Sequence, residues 1–426
     1  MRNNWKKHQL FDLYDVRSGM GNKSRKDFHP TKYENKMIMF KDVFYNSKLP
    51  NKLETTVNLI GTELERFNVL KDDVFLTSSS ETSNELAMSS VAMKDYNNTV
   101  FTGFTKRLRP KTDLTYIGFM RYWFRSFEFR RVIDSSVSMT TRANLNNSIL
   151  SNVTITLPSI NEQKAIANIL SSFDDKIEVN NKINENLENL AQVLYKHWFV
   201  DFEFPDENGN PYKSSGGIMV ESELGLIPFG WKVEKLGKSS ISNLVKSGIK
   251  EFIDKKIYLA TADVTNTTIT NHNTYINMGN KPSRANMQPK QNTVWFAKMK
   301  ASRKLIRVSD ESQSLIDNYI FSTGFAGIEC TKSLNYVWSF VSSNEFDELK
   351  NSLATGTTQE AINNGVINNM NFLVPSKNIL TKFENVVREF YNKKELNDRE
   401  NLKLAEMRDL LLPKLMSGEI RLPIEE

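Results

Sequence analysis

The chain has 426 residues, a net charge of +6, one cysteine and 39% apolar residues. This length suits about two or three domains of ~150 residues, and a lone cysteine excludes an intramolecular disulfide. No apolar run reaches the ~18 residues that span a membrane, and no apolar segment follows the first charges as in a signal peptide. We therefore expect a cytoplasmic protein whose basic balance is compatible with binding nucleic acid.

Residues 1–158 are predicted to form a sheet-rich domain with a few helices. Short runs of β-branched and aromatic residues, such as Val153–Ile155, alternate with turn-forming residues. The stretch Thr115–Arg131 is predicted to be helical. This first domain therefore belongs to the mixed α+β class.

A long amphipathic helix is predicted in the next region, residues 159–203. Its apolar residues recur at steps of four and three, which is typical of a heptad seam, and two asparagines interrupt the seam. The seam positions are Ile166, Leu170, Phe173, Ile177, Asn180, Asn184, Leu187, Ala191, Leu194 and Trp198. From about Asn161 to Phe199, at 1.5 Å per residue, such a helix extends roughly 60 Å.

Turn-forming residues predict a linker over residues 204–227, followed by a second sheet-rich domain over residues 228–375. In this domain Ile257–Leu259 and Asn335–Val341 are predicted strands, and Asn344–Leu353 is a predicted helix. A second amphipathic helix is predicted over residues 376–426. Its apolar positions are Phe383, Val386, Val387, Phe390, Leu404, Met407, Leu411 and Leu415.

The chain contains a long internal repeat. The segment from Thr140 to Pro158 recurs without a gap from Thr357 to Pro375, 217 positions later. Farther upstream, pairs of anchors keep the same order and similar spacing. They are Trp5 and Trp231, Ser18-Gly19 and Ser247-Gly248, Asp42 and Asp263, Val74–Leu76 and Val294–Phe296, and Gly103-Phe104 and Gly324-Phe325. A repeat of this length indicates a duplicated domain plus helix.

Two duplicated domains and two long helices favour pairing within one chain. The helices would bury their apolar stripes against each other as an antiparallel coiled coil, with the halves related by a pseudo-two-fold axis. Two alternatives remain: each helix packs on its own domain, or the coil forms between two copies of the chain. In the paired arrangement Asn180 and Asn184 would be buried and set the register, whereas otherwise they would face solvent.

The sequence shows no pattern that indicates catalysis. An amino-methyltransferase motif needs a Pro-Pro dipeptide, which this chain lacks. Gly237-Lys238-Ser239 resembles the end of a phosphate-binding loop, but Lys232 stands where the loop requires glycine. One cysteine and four scattered histidines do not make a Cys/His metal site. We predict that the chain is not an enzyme and holds no cofactor or metal of its own.

Several segments resemble the specificity (S) subunits of type I restriction–modification systems. They are Leu157-Pro158, Glu162–Ile166, Ile169-Leu170, Asp174–Ile177, Leu194–Phe202, Ser222–Trp231 and Leu410–Ile420. The resemblance covers essentially the whole chain. It departs from the family's pattern in the second helical region, where Ser376–Leu380 replaces the Glu-Gln-Lys signature of the first.

The resemblance implies a non-catalytic prokaryotic subunit that binds double-stranded DNA. Residues 1–158 and 228–375 would be target-recognition domains, each reading one half of a bipartite asymmetric site. The helices would set the spacer and dock two methylation (M) subunits, so that adenine N6 methylation or restriction is directed to that site. Restriction (R) subunits would join for cleavage, and S-adenosylmethionine, ATP and Mg would act in these partners. The alternative is a protein scaffold, whose interactions would lack the strong salt dependence of DNA binding.

Candidate DNA contacts combine basic, hydroxyl and amide side chains with turn-forming neighbours. In the first domain they are Lys23, Arg25, Lys26, Ser79, Thr82, Thr140, Thr141 and Arg142; in the second they are Lys246, Lys298, Lys300, Arg303, Lys304, Thr357, Thr358 and Gln359. Arg142 and Gln359 occupy equivalent repeat positions and differ in type, as two domains reading different half-sites require. The alternative is that the Thr-Thr pairs cap a turn and the next residue is simply exposed.

Overall fold

The structure is a computed structural model that describes residues 5–80, 82, 85–136, 143–356 and 360–422, and only the backbone of Arg25. The chain forms two compact units. The first comprises Met1–Asn180 together with Arg399–Glu426, and the second comprises Asn181–Asp398. Within the described residues no helix is both long and apolar enough to cross a membrane.

The first unit contains twelve described strands and six short helices. The strands are β1 (Lys6–Gln9), β2 (Tyr14–Ser18), β3 (Phe28–His29), β4 (Lys36–Ile38), β5 (Thr56–Val57), β6 (Val74–Thr77), β7 (Ser79–Ser80), β8 (Ser89–Val91), β9 (Thr99–Phe101), β10 (Thr105–Pro110), β11 (Ala143–Asn144) and β12 (Thr154–Leu157). The short helices are α1 (Leu10–Leu13), α2 (Phe40–Phe44), α3 (Glu63–Phe67), α4 (Ile117–Trp123), α5 (Phe127–Ser136) and α6 (Asn147–Ser151), with a 3₁₀ turn at Arg25–Asp27. The long helix α7 (Ile160–Phe199) begins here.

Two four-stranded sheets form the framework of the first unit. One is antiparallel with the order β2-β10-β6-β8. The other has the order β3-β5-β4-β9, and its β4 and β9 are parallel. Smaller antiparallel pairs join β1 to β12 and β7 to β11. The prediction of a sheet-rich domain is confirmed.

The second unit contains fourteen strands within the part of the chain that is described. They are β13 (Met219–Ser222), β14 (Gly225–Pro228), β15 (Lys232–Lys235), β16 (Asn243–Leu244), β17 (Lys256–Leu259), β18 (Val264–Thr265), β19 (Thr268–Ile269), β20 (Tyr275–Ile276), β21 (Ala285–Met287), β22 (Thr293–Ala297), β23 (Leu305–Val308), β24 (Tyr319–Ser322), β25 (Phe325–Glu329) and β26 (Asn371–Val374). Its helices are α8 (Gln313–Asn318), α9 (Leu334–Val341), α10 (Asn344–Leu353) and α11 (Asn364–Asn369), a 3₁₀ turn at Thr261–Asp263, and most of α12 (Lys377–Ser417) up to Asp398.

The antiparallel sheet of the second unit repeats that of the first. Its order is β16-β25-β22-β23, so its strands have the same neighbours as their counterparts in β2-β10-β6-β8. The pair β15–β26 corresponds to β1–β12. The other sheet, β20-β17-β24-β21, also contains a parallel pair, β17 and β24, but that pair is central, whereas β4 and β9 lie at one end of their sheet. The duplication inferred from sequence is therefore a duplication of fold in which one sheet is rearranged.

The short helices repeat as well, and they correct one prediction. Helices α9, α10 and α11 begin 217 positions after α4, α5 and α6. Asn146 and Asn363 cap the last of these pairs, each accepting a hydrogen bond from the N–H three residues later. The predicted strand Asn335–Val341 is wrong, because this segment lies in α9. Almost every side chain of α9 is buried, and tertiary burial overrides the strand preference of its β-branched and aromatic residues.

In the first unit α7 and α12 run antiparallel. Asp174 accepts a hydrogen bond from Arg408 at 2.6 Å, and Asn180 donates to Asn401 at 2.9 Å and to Glu400 at 2.8 Å. As the number of the α7 residue rises, that of its α12 partner falls. The buried Leu415 lies in the same core as residues of α7, so the helix ends also pack on their domain.

In the second unit the same antiparallel pairing is present. Asn184 donates to Asp398 at 2.7 Å and accepts from Asn397 at 2.8 Å. Glu188 forms an ion pair with Lys394 at 3.6 Å. Pairing within one chain, predicted from the heptad seam, is confirmed, and Asn184 is buried as that arrangement requires.

The seam of α12 differs from the predicted one. Val386 and Met407 are exposed, although they were predicted to be seam residues. Their places are taken by polar residues, among them the buried Asn397 and the half-buried Arg408, each of which bonds to α7. A pattern of apolar residues does not reveal such positions, because the side chains are buried only by virtue of their hydrogen-bond partners.

Residues 204–227, predicted as a linker, are ordered on the second unit. Strands β13 and β14 form a hairpin, and the Phe204 ring stacks on Trp231 with 4.9 Å between centroids. The turn-forming residues of this segment therefore lie in an ordered connection that contains the β13–β14 hairpin. In the first unit Trp5 contributes to the core that also contains Met416, so both ends of the described chain lie in that unit.

Candidate nucleic-acid interface

One end of the antiparallel sheet in the first unit gathers four separate chain segments, and we call it the first corner (residues 18–20, 78–80, 102–106 and 143–147). The Ser78 N–H donates to the Phe104 carbonyl at 2.8 Å, and the Leu145 N–H donates to the Ser78 carbonyl at 2.9 Å. The Gly19 N–H donates to the Thr105 carbonyl at 3.0 Å. Backbone bonds therefore fix this corner independently of side-chain type.

The equivalent end of the second unit is the second corner (residues 246–248, 284–286, 298–304, 323–324 and 360–362). Here the Lys298 N–H donates to the Gly324 carbonyl at 3.0 Å, and the Ile362 N–H donates to the Lys298 carbonyl at 3.0 Å. Lys298 and Gly324 thus take the places of Ser78 and Phe104. The anchor pair Gly103-Phe104 and Gly324-Phe325 is displaced by one residue, because both turns are two residues long and Phe104 matches Gly324.

Three of the predicted DNA contacts of the second corner already have partners inside the unit. Lys300 forms an ion pair with Glu360. Arg303 donates to the Asn344 side chain at 2.8 Å and to the Ser342 carbonyl, and Lys304 donates to the Thr261 carbonyl at 2.6 Å. Sequence alone could not reveal these bonds, because the partners are remote in the chain.

Lys298 has a different environment from its neighbours. It is half-buried, and burial, followed by the nearby Arg284 charge, lowers the pKa of its ammonium group. Among the described residues neither Lys298 nor Arg284 forms an ion pair with an acidic side chain. Two cations without an acidic partner favour an anion such as a DNA phosphate. Arg284 was not predicted, because the short segment that carries it has no distinguishing pattern.

In the first corner the structure adds a basic residue that the sequence prediction missed. Lys106 is buried, and its ammonium group donates to the Ser18 hydroxyl at 2.9 Å and lies 3.5 Å from the Asn147 side-chain oxygen. Burial lowers its pKa. The predicted Lys23 instead forms an ion pair with Glu63 at 2.7 Å.

The other predicted contacts are distributed around these corners. Lys26, Thr82 and Lys246 are exposed, and Ser79 is a half-buried residue of β7. Arg25 begins the 3₁₀ turn. Six further predictions lie outside the described residues: Thr140, Thr141, Arg142, Thr357, Thr358 and Gln359. All of these DNA contacts remain predictions.

The described residues that flank the two Thr-Thr segments do belong to the corners. Ala143 and Asn144 pair with Ser80 and Ser79 in β7. In the second unit the Ala361 N–H donates to the Thr355 carbonyl at 3.0 Å, so the chain leaves and returns at one place. The described residues that follow the two Thr-Thr segments therefore lie at the corners.

The Glu-Gln-Lys signature at the start of α7 is mostly internal. Glu162 is buried and pairs with Arg421 at 2.7 Å. Gln163 is fully buried, accepts from the Tyr116 N–H and donates to the Leu114 and Pro158 carbonyls. At the corresponding place in α12, Ile379 and Leu380 are buried among apolar residues. The missing signature therefore reflects a different packing of the helix start, and of its three residues only Lys164 is exposed in α7.

Comparisons with known proteins agree with this architecture. Residues 2–189 match the family described as the type I restriction modification DNA specificity domain. The chain is 28% identical over 311 residues to the type I restriction enzyme MjaIX specificity subunit of Methanocaldococcus jannaschii, covering 71% of this chain and 69% of that protein. It is 24% identical over 333 residues to the HindI specificity subunit of Haemophilus influenzae, covering 64% and 70%.

A solved structure shares the fold. The type I restriction–modification S subunit from M. genitalium aligns over 97% of this chain and 96% of its own, with a TM-score of 0.50 and 17% identity. Residues 2–189 thus match a DNA specificity domain, and most of the chain is similar to specificity subunits of type I restriction–modification systems, which are non-catalytic.

Proposed function

We propose that this subunit reads a bipartite, asymmetric site in double-stranded DNA, one half-site with each unit. The observation that carries the proposal is the pair of equivalent corners. Two backbone bonds are the same in both corners, yet Ser78 and Phe104 in one correspond to Lys298 and Gly324 in the other. Since base sequence is read by side chains in the grooves, equal frames with different side chains suit two different half-sites.

Helices α7 and α12 are proposed to set the unread spacer between the half-sites. Both are continuous, with 40 and 41 residues, and each is paired with the other inside both units. A continuous helix resists bending far better than a loop, so its length can fix a distance. The two half-sites would then be read at one spacing.

The same helices are proposed to dock two methylation subunits, which would carry S-adenosylmethionine and modify adenine at N6. Restriction subunits would join for cleavage with ATP and Mg. Exposed apolar side chains along the helices, such as Val193 and Leu410, support a role as a docking surface. The type I specificity subunits that this chain resembles are parts of restriction enzymes by name, which supports partners of this kind.

The test is base-modification sequencing of genomic DNA from the native host, with the gene intact, deleted and restored. We expect N6-methyladenine at one bipartite motif to disappear on deletion and to return on restoration. The motif would give both half-sites and the spacer at once. An unchanged pattern of methylation in a host whose methylation subunit is active would contradict the proposal.

A further inference from the structure

Phe104 is an exposed aromatic residue held firmly at the first corner. It lies in the turn formed by Gly103 and Phe104 between β9 and β10, and 54% of its surface is exposed. Its carbonyl accepts the Ser78 N–H, the Gly103 carbonyl accepts the Ser78 hydroxyl at 3.1 Å, and the Gly103 N–H donates to Met20 at 2.8 Å. The ring is therefore presented by a rigid turn.

The equivalent position in the second corner has no side chain, because it is Gly324. The residue bonded to this turn also differs, since Ser78 is replaced by Lys298. The first corner thus has an apolar ring and a hydroxyl where the second has an ammonium group and a glycine without a side chain. Different side chains at equivalent positions, each fixed by the same backbone bond, are suited to distinguishing two base sequences.

We propose that Phe104 determines specificity by contacting the C5-methyl group of a thymine in the half-site read by the first unit. A phenyl ring neither donates nor accepts a conventional hydrogen bond, and the apolar feature on a base edge in the major groove is the thymine methyl. About half of the residue is already covered by protein. Only an edge of the ring is therefore free to contact DNA. An edge can touch a methyl group in the groove, whereas insertion between bases would require a more fully exposed ring.

The inference rests on the proposed function, and its test begins with sequencing. N6-methyladenine motifs are compared in hosts that carry the native chain, Phe104→Ala or Phe104→Leu, with Phe127→Ala as the control. Phe127 is an exposed phenylalanine in α5 of the same unit. We expect Phe104→Ala to accept other bases at one thymine position of one half-site and to leave the other half-site unchanged. Phe104→Leu, which keeps an apolar contact, should retain part of the preference.

Binding to duplexes with uracil in place of single thymines isolates the methyl group. The assembled methyltransferase with the native subunit should bind one such duplex about fourfold more weakly, which corresponds to burying one methyl group. The complex with Phe104→Ala should show no such loss, and Phe127→Ala should behave like the native protein.

Four outcomes would overturn the inference while leaving the proposed function intact. The first three are a bipartite motif without thymine in the relevant half-site, equal binding of every uracil duplex by the native complex, and an equal uracil effect in the native and Phe104→Ala complexes. A slower methylation rate at an unchanged motif would indicate insertion between bases and would also overturn it. Absence of any bipartite motif with the native chain would contradict the proposed function instead.

Discussion

Lys298 is a half-buried cation of the second corner. Its ammonium group loses hydration and lies near Arg284, so the charged form is disfavoured until an anion approaches. We predict that Lys298→Ala weakens DNA binding by the assembled complex and lowers the slope of log K against log salt by about one. Binding titrations over a range of salt concentrations measure this slope.

The matched control is Lys232→Ala, which removes an exposed lysine from β15 of the same unit. It should leave the salt slope at the native value. If Lys298→Ala and Lys232→Ala give the same slope as the native chain, Lys298 does not contact a phosphate.

Glu384 is a buried carboxyl group on α12 that affects stability. It accepts hydrogen bonds from the N–H groups of Asn335 at 3.2 Å and Tyr336 at 2.7 Å, where α9 begins. Burial raises its pKa to about 7, although these bonds and the charges of Arg307 and Arg388 act in the opposite direction. The folded protein therefore binds this proton more tightly than the unfolded chain does.

The stability that this proton provides is present below the pKa of an ordinary glutamate and is lost as pH rises through about 7. Between pH 5 and pH 8 the unfolding free energy of the native chain should fall as Glu384 loses its proton. We predict that this fall is roughly 2–3 kcal/mol smaller in Glu384→Gln. Urea unfolding at the two pH values measures the difference. Glu389→Gln, on an exposed residue of α12, is the control, and equal pH dependence in all three chains would contradict the prediction.

At the scale of elements, the repeat explains the asparagines of the helix pair. Asn180 and Asn397 are equivalent at the 217-residue offset, and so are Asn184 and Asn401. Asn180 bonds to Asn401 in the first unit, and Asn184 bonds to Asn397 in the second. A slip by one heptad would place Asn184 opposite Phe390 or Leu404, which cannot bond to an amide, so the asparagines oppose that register.

We predict that Asn184→Leu destabilises the protein by about 1–3 kcal/mol, because the buried Asn397 amide loses its acceptor. The double variant Asn184→Leu with Asn397→Leu should recover much of this loss, because both partners become apolar. Thermal or urea unfolding of the two single variants and the double variant gives the coupling free energy between Asn184 and Asn397. A double variant that is less stable than either single one would show that the bond itself contributes most of the stability.

At the scale of the whole molecule, the proposed role of the two helices makes spacer length depend on helix length. One heptad inserted after Asn181, matched by one between Asp398 and Arg399, keeps the asparagines opposite their partners within each unit. The insertion adds about 10 Å of helix, or about three base pairs at ~3.4 Å each. We predict a methylated motif with both half-sites unchanged and a spacer longer by about three base pairs.

The control for this prediction is a heptad inserted between Gly216 and Gly217, in the turn-rich segment before β13. That insertion lies outside both helices and should leave the spacer unchanged. Modification sequencing reads both motifs directly. Methylation at the original spacing with the paired helix insertions would show that the helices do not set the spacer.

The sequence by itself determined the duplication, the sheet-rich units, the seam of α7 and the family resemblance. These features can be read from short stretches of sequence. A repeat appears as matching residues at a constant spacing, and a buried helix face appears as apolar residues with a period of about 3.5. The equivalence of Asn146 and Asn363 as helix caps also follows from the repeated segment.

Only the tertiary structure decided which polar residues are internal. Arg303 and Lys304 were predicted from their charge to bind DNA, and the fold gives them partners about 40 residues away in the chain. Contacts with distant segments likewise explain the polar seam of α12, the helix Leu334–Val341 and the buried Gln163. Their burial depends on groups contributed by distant segments, and a linear pattern of apolar residues contains no record of those partners.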